Sequence, residues 1–181
     1  MKRVALTLVA LISIAGAGSL SAQGTRFGIG GGLLLPLSDY KTGDKSGFLV
    51  GADGTYWFTG NQAGIRIDAS YSQTSEASGV IAHKTKMLGG MAEVVYAFMK
   101  KADQVRPYVF GGVGLYNVKV SAGGADTSET KVGFGGGAGL AFKLGASSTR
   151  LFLEGRYTSI KAFSTTLPSI GIKAGIRFGG K

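Results

Sequence analysis

Over residues 169–178, SIGIKAGIRF, the side chains Ile170, Ile172, Ala174, Ile176 and Phe178 alternate without a break with Ser169, Gly171, Lys173, Gly175 and Arg177. A period of two places successive side chains on opposite faces of an extended chain, so this stretch is a strand with one apolar and one polar face. The same patterning recurs over 25–37, 47–58, 62–72, 84–98, 106–120, 130–144, 149–160 and 169–178, with turn-forming residues between the segments. Eight amphipathic strands, each needing a partner for both edges and for one face, leave few folds open.

Many of the segments exceed the roughly 5 to 6 residues typical of soluble strands and match the ~9 to 11 needed to cross a bilayer at a tilt. The three prolines, Pro36, Pro107 and Pro168, fall at the expected strand ends, where a missing backbone donor does least harm. With the first strand leaving the periplasm, 59–61, 99–105 and 145–148 become periplasmic turns. The segments 38–46, 72–84, 121–129 and 161–168, rich in Ser, Thr and Gly, become the outward loops. Short turns on one side and longer loops on the other predict an all-β, eight-stranded antiparallel up-and-down transmembrane β-barrel.

The apolar parity carries most of the aromatic residues, and they gather near strand ends. Phe27, Tyr56, Phe58, Tyr96, Phe98, Tyr108, Phe110, Phe142 and Phe178 fall at the periplasmic end, and Phe48, Tyr71, Tyr116, Phe134 and Tyr157 near the other. Two aromatic bands flanking an aliphatic belt predict an apolar face turned outward into lipid, the rings sitting at the two interfaces. On the fifth strand Val109, Val113 and Leu115 occupy the opposite parity, so its two faces compete. A soluble, lipocalin-like barrel shares the strand period and would turn the apolar face inward around a ligand. The polar parity carries Arg26, Asp53, Arg66, Asp68, Glu93, Lys143, Glu154, Arg156, Lys173 and Arg177. An eight-stranded barrel has room inside only for side chains, so these charges are expected to pair across the lumen as a plug.

The N-terminus has the three-part layout of a secretory signal peptide: Lys2 and Arg3, an apolar run from Val4 to Ala17, then small residues. Cleavage after Ala22 leaves 23–181 as one barrel domain, and no later apolar run is long enough for a membrane helix. Without Lys2 and Arg3 the 20 basic residues fall to 18 against 10 acidic ones, a formal excess of eight positive charges. Charged residues make up 17% of the chain, below the roughly 25% of soluble domains, consistent with a surface covered by something other than water. Cysteine is absent, so an exported chain of this kind holds together without disulfides.

Together with RPYVFGGVGLYNVKV (106–120) and RLFLEGRYTSIKAF (150–163), this organisation resembles the small outer-membrane β-barrel proteins, the family of the OmpA membrane domain, OmpX and the opacity-type proteins. The resemblance implies a Gram-negative outer membrane and insertion by the barrel-assembly machinery, which reads a final strand ending in an aromatic residue, here Phe178. It also implies a non-enzymatic role in envelope integrity, adhesion or surface recognition through the outward loops. A narrow channel for ions or small solutes is the competing reading. Some barrels of this kind modify lipid A with a histidine and a nearby serine; the single histidine, His83, follows Ser72, Ser75 and Ser78.

Other chemistry is weakly signalled. GFGGGAG (133–139) and GIGGG (28–32) lack the strand-turn-helix setting of a phosphate loop, and the glycines of the sixth strand read better as room for long interior side chains or for close strand approach. No metal-ligand spacing is present, and no cofactor is expected. Lys41, Lys45, Lys84, Lys86, Lys119, Lys131 and Lys161 lie in or beside the outward loops, where lipopolysaccharide phosphates are candidate partners. Asp39, Asp44, Glu76, Asp126 and Glu129 share those loops, which suits an ordinary solvated rim equally well. Nucleic acid is not an expected partner of an exported barrel.

Overall fold

The computed structural model describes residues 24–76, 83–145 and 147–179. The proposed signal segment 1–22 and Ser78 lie outside the described residues. Eight strands follow one another: β1 (Thr25–Pro36), β2 (Gly47–Trp57), β3 (Ala63–Ser75), β4 (His83–Ala97), β5 (Val105–Ala122), β6 (Ala125–Lys143), β7 (Arg150–Ala162) and β8 (Thr165–Gly179). Each pairs antiparallel with its neighbour in sequence, and β8 returns to β1 in a register running from Arg26↔Gly179 to Pro36↔Ser169. The sheet is a closed barrel with both described chain ends at one mouth, called here the termini end. A six-residue helix, α1 (Ser38–Gly43), lies between β1 and β2 at the other.

The apolar parity faces out. Ile29, Leu33, Ile67, Val94, Val113, Leu115, Val132 and Leu153 are all exposed, Val132 by 67%, whereas the charged parity is buried, Glu154 to 1% exposure. This inverts a water-soluble protein, in which so large a continuous apolar surface would have to be covered. Lipid covers it, and lipid offers the backbone no hydrogen bonds, so only a closed sheet can sit there.

On β5 the two faces resolve against the aromatic set. Val109, Val113 and Leu115 face out, and Tyr108, Phe110 and Tyr116, expected in the outer aromatic bands, are buried inside together with Val118. The reason lies on the neighbouring strands. A β-carbon at Gly89 or Gly133 would run into the Tyr116 ring, one at Gly137 into Phe110, and one at Gly139 into Tyr108. The glycines of β6 therefore hollow the wall, and three β5 rings fill the hollow.

Two of the expected outward loops are turns of two residues. β5 and β6 pair up to Ala122↔Ala125 around Gly123 and Gly124, and β7 and β8 up to Ala162↔Thr165 around Phe163 and Ser164. Consequently β6 begins at Ala125, ahead of the expected 130, and β8 begins at Thr165, which puts Pro168 inside the strand opposite Ser159. Both turns have positive φ at both central residues, the twist that suits a two-residue hairpin. Glycines adopt it freely; Phe163 (φ 50) and Ser164 (φ 62) do not, at a cost of about 1 kcal/mol each. Replacing the pair by the favoured sequence, Phe163→Asn with Ser164→Gly, is expected to stabilise the barrel by roughly 1 to 2 kcal/mol. Urea unfolding of the refolded protein in lipid vesicles measures this, and an unchanged or lower midpoint would refute the strain assignment.

Candidate functional site

At mid-height the lumen is closed by a network of charges from five strands. Arg66 on β3 reaches Glu93 on β4 (Nε to Oε2, 2.5 Å) and Glu154 on β7 (Nη1 to Oε2, 2.8 Å). Arg156 meets Asp68 at 2.7 Å and lies 2.9 Å from Glu93 Oε1, the latter without hydrogen-bond alignment. Lys173 meets Asp68 at 2.8 Å, and Arg177 meets Asp53 at 3.0 Å and Glu154 at 2.7 Å. Tyr108 donates its hydroxyl proton to Glu154 Oε2 and accepts from Arg177 Nη1, both at 2.8 Å. Four carboxylates thus face four cations, with Glu154 at the hub. The Phe110 ring lies under the Arg66 guanidinium at 4.2 Å, a further compensation for a charge removed from water.

Two of the expected members stand outside this network. Arg26 is buried opposite Thr55 and Gly179, below the level at which Asp53 projects. Lys143, half-buried at the termini-end rim, is tied through its backbone to Gln104. Arg106 and Arg150 are also buried inside; Arg106 shares the parity of Tyr108 and Phe110, which the aromatic pattern assigns to the outer face, and Arg150 that of Glu154. Arg106 donates to the carbonyls of Met99 and Asn61, and Arg150 to those of Ala141 (3.2 Å), Lys101 (2.7 Å) and Asp103 (2.9 Å). Guanidinium groups thereby pull two of the termini-end turns across the mouth.

The other mouth is closed by α1. Tyr40 is buried against Leu34, Met87, Tyr116 and Ile160, and its phenol lies 2.9 Å from Thr74 Oγ1. Thr74 in turn donates to Asp44 Oδ1 at 2.6 Å, while Thr85 (3.2 Å) and His83 Nε2 (3.1 Å) meet Asp44 Oδ2. Burial, followed by the Asp44 carboxylate, holds the Tyr40 phenol well above its usual pKa. His83 is positioned by Asp44, and Ser72 faces the lumen. Between this lid and the charge network a cavity lined by Leu49, Ser72, Arg156 and Thr158 leaves about 40 Å³ for water centres, enough for a few molecules.

On the outer wall Phe27, Tyr56, Phe58, Tyr96, Phe98, Phe142 and Phe178 are exposed towards the termini end, and Phe48, Phe134 and Tyr157 towards the other, with Tyr71 half-buried beside Phe48. Lys84 and Lys86 share the parity of outward Leu88, and Lys119 that of Leu115; Lys86 and Lys119 are opposite one another in the β4–β5 register. A basic stripe therefore stands on the outer wall directly above the apolar belt. Lys119 pairs with Asp126 (2.7 Å) and Lys131 with Glu129 (2.8 Å); Lys41, Lys45 and Lys161 are exposed.

A charge-filled, apolar-coated barrel of eight strands can now be set beside known proteins. The family model for the outer membrane protein beta-barrel domain matches residues 6–178. This chain belongs to that family. It is a Gram-negative outer-membrane barrel, and its fold recurs in solved structures of low sequence identity. Neisserial surface protein A superposes with a TM-score of 0.64 at 21% identity, over 85% of this chain and 96% of that one. OprG of Pseudomonas aeruginosa gives 0.59 at 15% over 87% and 96%, and Ail, the attachment invasion locus protein of Yersinia pestis, 0.55 at 24% over 86% and 99%. None of the curated proteins matches the chain in sequence.

Glu154 offers the sharpest test of the lumen. Glu154→Gln preserves volume but leaves Arg66, Arg177 and Lys173 short of a negative charge in a buried setting, an imbalance that costs about 3 to 5 kcal/mol. The variant should unfold at markedly lower urea in vesicles, and a midpoint within experimental error of the parent would show that the network contributes little.

Proposed function

We propose that this protein is a non-enzymatic outer-membrane barrel whose rigid wall holds a recognition surface outside the cell. The termini lie in the periplasm in this reading, and the α1 mouth with the β5–β6 hairpin faces outward. One observation carries it. The β5–β6 pairing runs to Ala122↔Ala125, whereas β6 pairs with β7 only from Gly133↔Ile160 downward. Residues 125–131 of β6 therefore stand above the belt with one edge unpaired, presenting backbone donors and acceptors to a partner chain. Glu129 braces this edge, accepting from Phe163 N at 2.6 Å and from Lys131.

The stripe of Lys84, Lys86 and Lys119 supports contact with anionic sugars, in the first instance lipopolysaccharide phosphates of the same membrane. A structure of Ail exists with the heparin analogue sucrose octasulfate, which makes sulfated glycans the first host-side class to try. The aromatic rings at the two ends of the outer wall anchor the barrel at the interfaces, and Phe178, exposed beside Phe27, serves the assembly machinery. The lumen acts as a plug, so planar bilayers are expected to show no steady single-channel steps.

Cells producing the intact chain are to be compared with cells producing a version whose hairpin is trimmed by removing 117–121 and 126–130, the turn retained. Both should reach the outer membrane and shift mobility on boiling. The intact chain should bind heparin-coated and matrix-coated surfaces several-fold better, and equal binding by the two would refute recognition through the hairpin.

A further inference from the structure

The mid-height network is balanced, but the termini end is not. Beneath it lies a second cavity, lined by Arg26, Arg66, Arg106, Arg150 and Arg177 and by Trp57, with no carboxylate among the described lining residues. Arg66 and Arg177 meet carboxylates that do not line it, Glu93, Asp53 and Glu154. Arg106 and Arg150 are bound to backbone carbonyls, which satisfy their donors without cancelling their charge. Arg26 is 95% buried and, among the described residues, has neither an ion-pair partner nor a hydrogen-bond acceptor. Two donor atoms are fully buried without an acceptor, Arg66 Nη2 and Trp57 Nε1, and both residues line this cavity.

Every unmet group here is a donor, and the surplus charge has one sign. Water accepts hydrogen bonds but brings two donors of its own and no charge, so it answers only part of the need. The space is small, about 20 Å³ for water-sized centres, which is one or two such bodies. A sulfate or phosphate is too large, while a monatomic halide is an acceptor of water's size. We propose that this cavity is an anion site for a single chloride-sized ion, held by Arg26, Arg66 Nη2 and Trp57 Nε1 within the field of Arg106 and Arg150. The turn below carries Asp103, whose carboxylate accepts from Lys100 N at 2.8 Å. Partial burial, and then the charges of Arg26 and Arg106, hold Lys101 of the same turn below the usual lysine range.

The chain has one tryptophan, and it lines the site. Bromide is a chloride-sized heavy-atom quencher, so the refolded protein in detergent can be titrated with sodium bromide against sodium gluconate at fixed ionic strength. The parent should show a saturable loss of fluorescence that chloride reverses, above the linear collisional background. Trp57 itself stays intact in Arg26→Gln, which should lose the saturable part or need roughly tenfold more bromide. A linear response that chloride leaves unchanged in the parent would overturn the proposal without recourse to any variant.

A second readout is the temperature at which half the protein loses its unboiled gel mobility. Gluconate is the more strongly excluded anion and stabilises proteins in general at least as well as chloride, so an excess stabilisation by chloride reports binding. That excess should vanish in Arg26→Gln, and in gluconate alone the variant should be more heat-resistant than the parent because a repelling charge is gone. Equal midpoints in chloride and gluconate for the parent, or the same chloride excess in both proteins, would count against the site.

Discussion

Everything in this structure follows from the absence of water around its belt. A strand crossing hydrocarbon must meet each backbone donor and acceptor with another strand, and the seam between β1 and β8 is where that demand is finally satisfied. Closure at eight strands then sets the bore, too narrow for a water-filled channel and wide enough for one layer of side chains from each wall. The outer parity is free to be apolar; the inner parity has to fill a tube without voids. Here it is filled by charges that pair, by rings that stack beneath them and by glycines that make room for the rings.

Charges inside such a tube must compensate one another, since neither lipid nor bulk water can do so. Glu154 connects Arg66, Lys173 and Arg177 with Tyr108, and so binds β3, β5, β7 and β8 across the bore. A buried ion pair is a poor source of net stability but a good source of registry, because a one-residue slip would send every charge of a strand into lipid. The rigidity obtained this way extends to the α1 end. The β5–β6 hairpin and the Tyr40 to His83 lid are carried on a wall that cannot shift its strands relative to one another.

The alternation of single strands exposed the architecture in the sequence, since Ile170 to Phe178 or Phe48 to Phe58 read the same way before and after folding. What stayed hidden depended on two strands at once. Tyr108, Phe110 and Tyr116 look like lipid-facing rings until Gly139 and Gly137 are placed opposite the first two and Gly133 beside the Tyr116 ring, and that placement is a property of register, not of either segment. The tight turns at Gly123–Gly124 and Phe163–Ser164 were hidden for a related reason. Polar residues such as Asp126, Thr127 and Ser128 resemble a loop by composition, yet a hairpin above the membrane has no apolar face to display a period. The inward charges were recognisable by parity, but which of them meet was not, because Arg66 and Glu154 are 88 residues apart.

The two ends of the lumen are closed by different chemistry, and the difference has a physical origin. At the α1 mouth the closing segment is a helix, which satisfies part of its own backbone and needs only side-chain contacts through Tyr40 and Asp44. At the termini end the closing segments include the irregular turns around Asn61 and 99–104, whose carbonyls accept from interior guanidinium groups. Arginine is suited to that task because its planar fork of five donors can serve several carbonyls at once, which a lysine ammonium on a flexible stem does less well. Arg106 takes two carbonyls and Arg150 three. Closing turns with guanidinium groups, however, concentrates positive charge that carbonyl dipoles do not cancel. The surplus at the termini end is thus a direct consequence of how the turns are held, and any further charge placed there, such as Arg26, deepens it.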